Sequence, residues 1–144
     1  MRLFSHKLTD DTGFAPNPFH GVCTLATCKA QMHHAKRKGD WIAGFTSQKL
    51  IGDSVGRERL IYLMLVSGKL GLDEYHRNPA FAAKIPNPGS PGAPRFVDRA
   101  GDNICFLQDG EWKQVENPNH TLADLPDDTS GEFVLIAERD DRKH

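Results

Sequence analysis

Gly39-Asp40-Trp41-Ile42-Ala43-Gly44-Phe45 is the stretch on which the fold turns. Ahead of it, Thr24 to Lys38 suits a helix, with Leu25, Cys28 and Met32 on one face at i, i+3 and i+7. Thr24 is a candidate N-cap. Lys36, Arg37 and Lys38 place positive charge where it complements the helix dipole, and Gly39 follows as a stop. Behind it, Asp40 to Thr46 reads as a strand. Glu58 to Ser67 reads as a stronger one, in which Leu60, Tyr62, Met64 and Val66 alternate with Ile61, Leu63 and Leu65. Apolar residues on both faces predict a central strand or one inside a closed sheet.

Working outward, Leu3 to Leu8 is a first strand. Phe14-Ala15-Pro16-Asn17-Pro18-Phe19 is an ordered, non-helical loop, because each proline fixes its own φ and extends its predecessor. It serves either as a rigid connector or as the wall of a cleft. Gln48 to Arg57 is a polar connection. Gly68 and Gly71 break the strong strand, and Leu72 to His76 forms a short helical turn. Ile85 to Pro94, rich in proline and glycine, is a loop. Asn103 to Leu107 and Glu111 to Val115 pair across Gln108-Asp109-Gly110, and Phe133 to Ala137 is the last strand. Strands outnumber helices and long loops join them. The expected class is α+β, a small mixed β-barrel with one main helix between the first strands.

The length of 144 residues predicts a single domain over 1–144. A net charge of -1 gives no bulk attraction for phosphate, so nucleic-acid contact would need a local patch or a shaped pocket. Met1 to Asp11 carries no apolar run, and Leu60 to Val66 is far short of the ~20 residues that cross a bilayer. Three cysteines fit a reducing compartment. The expectation is a cytoplasmic protein with no membrane partner.

Cys23 and Cys28 with His33 and His34 invite a zinc site, but no second ligand pair lies nearby, so no metal or other cofactor is expected. Cys23, just ahead of the proposed N-cap, is the better of the two as a nucleophile, with His20 or His120 as base. Asp40 and Asp102 each follow a glycine and read first as turn residues that bond local amides. Lys29, His33, His34 and Lys36 to Lys38 form the densest positive run, either a solvated helix face or a phosphate-facing patch. Trp41, Phe45, Tyr75 and Trp112 are core residues or stacking platforms for a base.

FAPNPF (Phe14 to Phe19), CTLATCK (Cys23 to Lys29), GDWIAG (Gly39 to Gly44), RLIYLMLV (Arg59 to Val66), LDEY (Leu72 to Tyr75), GDNI (Gly101 to Ile104) and VLIA (Val134 to Ala137) occur in that order. In this the chain resembles the second of the nucleotide modification associated domain families, over roughly Leu3 to Ala137. It departs from the family pattern at Ala30, where proline is frequent, and at His76, where an aromatic is frequent. It also ends soon after VLIA. A looser similarity links the strand layout to the EVE, ASCH and PUA domains, small barrels that hold a nucleotide or modified base.

The resemblance implies a PUA/EVE-like barrel that binds a nucleotide or modified base, associated with DNA base modification in phage or bacteria. Trp41 or Phe45 would stack on the base, and Asn17, Thr24, Asp102 and Asn103 would bond its edge. Lys29 and Lys36 to Lys38 would receive phosphate, and His120 belongs to the same ligand set. One alternative is an enzyme of base hypermodification, with Cys23 or Asp102 reactive and His120 as acid or base. Another is a phage anti-defence protein that sequesters a nucleotide second messenger.

Overall fold

The computed structural model describes residues 1–27, 30–51, 57–87 and 101–138. β1 (Leu3–Leu8) lies parallel to β3 (Trp41–Thr46), and β3 lies antiparallel to β4 (Leu60–Leu65). In a second sheet, β2 (Val22–Leu25) and β5 (Gly68–Gly71) flank β8 (Phe133–Glu138), both antiparallel to it. β6 (Cys105–Gln108) and β7 (Glu111–Gln114) form a hairpin. Its turn residues Asp109 and Gly110 have φ of 53° and 80°, as a two-residue loop with an Asp-Gly signal requires. Short helices fill the connections: α1 (Ala30–Ala35), α2 (Gln48–Ile51), α3 (Leu72–Arg77) and α4 (Leu125–Ser130), with a 3-10 turn over Pro79–Lys84.

The two three-stranded sheets face each other across Leu25, Met32, Ile42, Met64, Val66 and Leu135. Val134 and Ile136, on the other face of β8, pack with Leu72, Tyr75, Ile104 and Cys105. β8 is therefore buried on both sides, with its period-2 alternation dividing its side chains between two cores. Val66 and Ser67 carry the chain from one sheet to the other. Val66 N donates to Asp40 O at 2.9 Å, and Ser67 N donates to Ile136 O at 2.8 Å. Gly44 sits where β3 passes closest to its neighbours, since a Cβ there would meet the Tyr62 ring at 2.1 Å.

The architecture is mixed α+β, and among the described residues its sheets do not close into a barrel. Three expectations change. The Thr24 to Lys38 helix shrinks to α1, because Val22 to Leu25 instead pair with Leu135 to Glu138 in β8. Thr24 is thus a strand residue and not a cap. β4, expected to be central, lies at the edge of its sheet, with Leu60, Leu63 and Leu65 exposed at 55%, 53% and 40%. Its Met64 faces the core, whereas those leucines are exposed among the described residues. The strong strand ends at Leu65, ahead of Gly68 as expected, but Gly68 and Gly71 also bound a further short strand, β5. No helix among the described residues is long and apolar enough to cross a membrane.

Candidate functional site

Two connected groups of polar side chains lie against the β2–β8–β5 sheet. The deeper one begins at Asn17, whose backbone exchanges bonds with Thr24 at 2.8 and 3.0 Å as a single antiparallel bridge beside β2. Asn17 Nδ2 donates to Gly101 O at 2.8 Å. Lys84 Nζ donates to Asn17 O and Oδ1, both at 2.9 Å, and to Val22 O at 2.7 Å. All three ammonium protons are thereby used. Asp102 Oδ2 accepts from the Thr24 hydroxyl and from Tyr75 OH at 3.0 Å, while Oδ1 accepts from Asn103 N at 3.0 Å.

These groups are sealed from water: Asp102 is 0% and Lys84 1% exposed. Burial raises the Asp102 carboxyl above its ordinary value, against the pull of Thr24, Lys84 and Tyr75. Burial likewise lowers Lys84 to about 8, against the field of Asp102. Each charge offsets part of the other's desolvation. Gly101 has φ of +55°, and a Cβ there would lie 2.5 Å from Lys84 O. Only glycine lets the 101–104 segment pass this close to the 3-10 turn.

The second group starts one residue on. Asn103 Oδ1 accepts from Gln114 Nε2 at 2.9 Å and from Asn117 Nδ2 at 3.3 Å. The buried Asn103 Nδ2 has no hydrogen-bond partner among the described residues. Asn117 Oδ1 accepts from the backbone N of Asn119 and His120, at 3.0 and 2.8 Å, which shapes the turn that presents His120. His120 Nδ1 meets Asp128 Oδ2 at 2.8 Å, with side-chain exposures of 22% and 5%. Thr27 and Gln114 also donate to Asp128, at 2.7 and 3.2 Å. Burial pushes the Asp128 carboxyl up, but hydrogen bonds from His120 and Thr27 and the approach of Asn103 bring it below its ordinary value. The bond to Asp128 raises His120, against burial.

His120 is also where this group reaches the surface. The Phe14 and His120 ring centroids are 5.3 Å apart, tilted by 43°. Both rings line a cleft of about 610 Å³, bounded on its other sides by His6, Lys7, Thr9 and Thr12 among others. Its floor is apolar, since Leu8 and Phe14 are buried, and its rim is polar. That volume suits one small molecule.

Of the residues expected to bind ligand, Asn17, Thr24, Asp102 and Asn103 are brought together in the interior, and His120 joins them through Asn103 and Asn117. Trp41 and Phe45 lie elsewhere, half-buried on β3 opposite Leu3 and Lys7. Lys29 and Cys28 fall outside the described residues. Lys36 is buried with its ammonium 3.2 Å from the centroid of the Phe4 ring, while Arg37 and Lys38 are exposed. Cys23 does not sit at a helix start: it pairs with Ala137 inside β2, and burial pushes its thiol up to about 11. A thiol so placed is protonated at neutral pH and makes a poor nucleophile. Asp40 bonds the Arg2 and Arg37 amides and the Arg2 guanidinium. Phe14 lies in the segment read as a possible cleft wall and does line the cleft, whereas Lys84, Asp128 and Lys7 went unmarked as ligand or network residues.

The segments that meet here are the ordered motifs of the sequence. Phe14 and Asn17 come from FAPNPF, Thr24 and Thr27 from CTLATCK, Tyr75 from LDEY, and Asp102 and Asn103 from GDNI. The family model described as nucleotide modification associated domain 2 matches residues 1–139. The chain belongs to that family. No curated protein and no solved structure matches it. In this nucleotide modification associated domain, four motifs spread over some 90 positions converge on one buried network with His120 at its outer end.

Proposed function

We propose that the protein is a single domain that binds a nucleotide or modified base in the His120 cleft, in association with DNA base modification in phage or bacteria. The observation that carries this is the cleft itself. It joins an apolar floor at Phe14 to a fixed imidazole and polar rim groups. An apolar surface with a few convergent polar groups is what a nucleotide needs, and the family ties the chain to nucleotide modification. Asn17, Thr24 and Asp102 serve this site as its frame, since their polar atoms are spent on one another. The bent pair of sheets is related, on this reading, to the PUA/EVE-like barrels.

A thermal-shift screen of nucleotides and modified deoxynucleosides tests the reading. At least one ligand should raise the melting temperature, by mass action on the folded state, and His120→Ala should abolish the rise. No stabilisation of a well-folded sample by any of them would sink it.

One observation favours a second reading, proton transfer in base hypermodification. Asp128 holds His120 by Nδ1, which leaves the opposite ring nitrogen for chemistry, as in oriented acid–base histidines. It predicts a mass change in modified DNA or nucleotide on incubation, lost in His120→Gln.

A further inference from the structure

We infer that the cleft takes a free mononucleotide by its phosphate, and that the protonated His120 imidazole is the group that receives it. This rests on the reading of the cleft as the ligand site and names the class of ligand. The imidazole is fixed from three sides. Its Nδ1 meets the Asp128 carboxylate, its backbone N is tied to Asn117 Oδ1, and its ring packs against Phe14. Nε2, on the opposite edge of the ring, makes no hydrogen bond among the described residues. A donor held this firmly loses little freedom when an acceptor arrives.

The charged and titratable groups around it favour the cationic ring. Asp128 on α4 touches it, and Asp124 just ahead of α4 adds to the field that keeps it protonated. Across the cleft, the Lys7 ammonium pairs with Glu58 at 2.6 Å, and His6 Nε2 meets Tyr62 OH at 2.6 Å. Asp10 lies on the rim with Lys49 3.9 Å away. An anion that enters meets the imidazolium and the lysine, while Leu8 and Phe14 floor the space beside them for the apolar part of the ligand. A cleft of about 610 Å³ encloses one nucleotide and no length of duplex.

The test is calorimetric titration of the whole chain with a deoxynucleoside monophosphate, the matching nucleoside and an oligonucleotide containing it, at pH 6 and pH 8.5. The monophosphate should bind at least tenfold tighter than the nucleoside at pH 6, and that advantage should shrink severalfold at pH 8.5. His120→Gln keeps a polar side chain beside Asp128 and should remove most of the advantage and all of its pH dependence. That separates the histidine from the phosphate, whose own second ionisation lies near pH 6. The unliganded melting temperature of the variant checks its fold, and Lys7→Gln gives a second variant on the same cleft that should weaken the monophosphate alone. Equal affinity for nucleoside and monophosphate at pH 6, or tighter binding of the oligonucleotide, would overturn the inference and leave base binding standing. No binding by any of the three would overturn the cleft reading as well.

Discussion

Replacing Lys84 with methionine removes the charge on which the buried frame depends. The side chain keeps nearly its length but loses three donors. Asn17 O, Asn17 Oδ1 and Val22 O are left without the ammonium, and Asp102 loses the nearest positive field in a site with no access to water. Removing one of two opposite buried charges that support each other, and three hydrogen bonds with it, costs about 3–5 kcal/mol. For a chain of this size that is roughly 10–15 °C in melting temperature. Urea denaturation followed by circular dichroism measures it, with Asp102→Asn as the companion variant.

The loss should also depend on pH. Without Lys84 the Asp102 carboxyl is pushed further above its ordinary value. Such a group is protonated when folded and ionised when unfolded, so stability falls as pH rises from its unfolded value through the folded one. Lys84→Met should therefore be milder at pH 4 than at pH 7. The double variant should lose less than the sum of the single ones, because the second change replaces a carboxyl that has already lost its cation. A loss under about 1 kcal/mol, or strict additivity, would refute the claim that these groups form one coupled unit.

Three other outcomes follow from the same structure. Gly101→Ala should cost about 1–3 kcal/mol by urea denaturation, since it strains a positive φ and pushes a Cβ against Lys84 O. The Arg2 guanidinium, with the Arg37 and Arg2 amides, holds Asp40 down at about 2. Its contribution is present above the ordinary carboxylate value and is lost as pH falls towards 2, so Asp40→Asn should flatten the acid limb of a stability profile. Cys23 should resist iodoacetamide at pH 7 in the folded protein and react faster only as pH approaches about 11 or the chain unfolds, read by mass spectrometry.

What the sequence made legible follows from the range of the forces involved. β1 and the β6–β7 hairpin could be read directly, because local alternation and an Asp-Gly turn determine them. The helix over Thr24 to Lys38 failed at its first turns, where pairing with a strand some 110 positions away outweighs a local periodicity. β4 looked central because all its residues are apolar, but apolarity does not say which face finds a partner. Asn17, Thr24, Asp102 and Asn103 were marked by the ordered motifs. Nothing local marks Lys84, which sits between alanine and isoleucine and is indistinguishable in sequence from a lysine at the surface. The pairing of His120 with Asp128, eight positions apart, depends on Asn117 and Thr27 and is equally silent.

The most direct test of the account is a ¹⁵N–¹H chemical-shift map of the protein during titration with a deoxynucleoside monophosphate. The perturbed amides should cluster at Lys7, Thr9, Phe14, Asn119 and His120, around the cleft. Perturbations centred on Trp41 and Phe45, or none at saturating ligand, would contradict it.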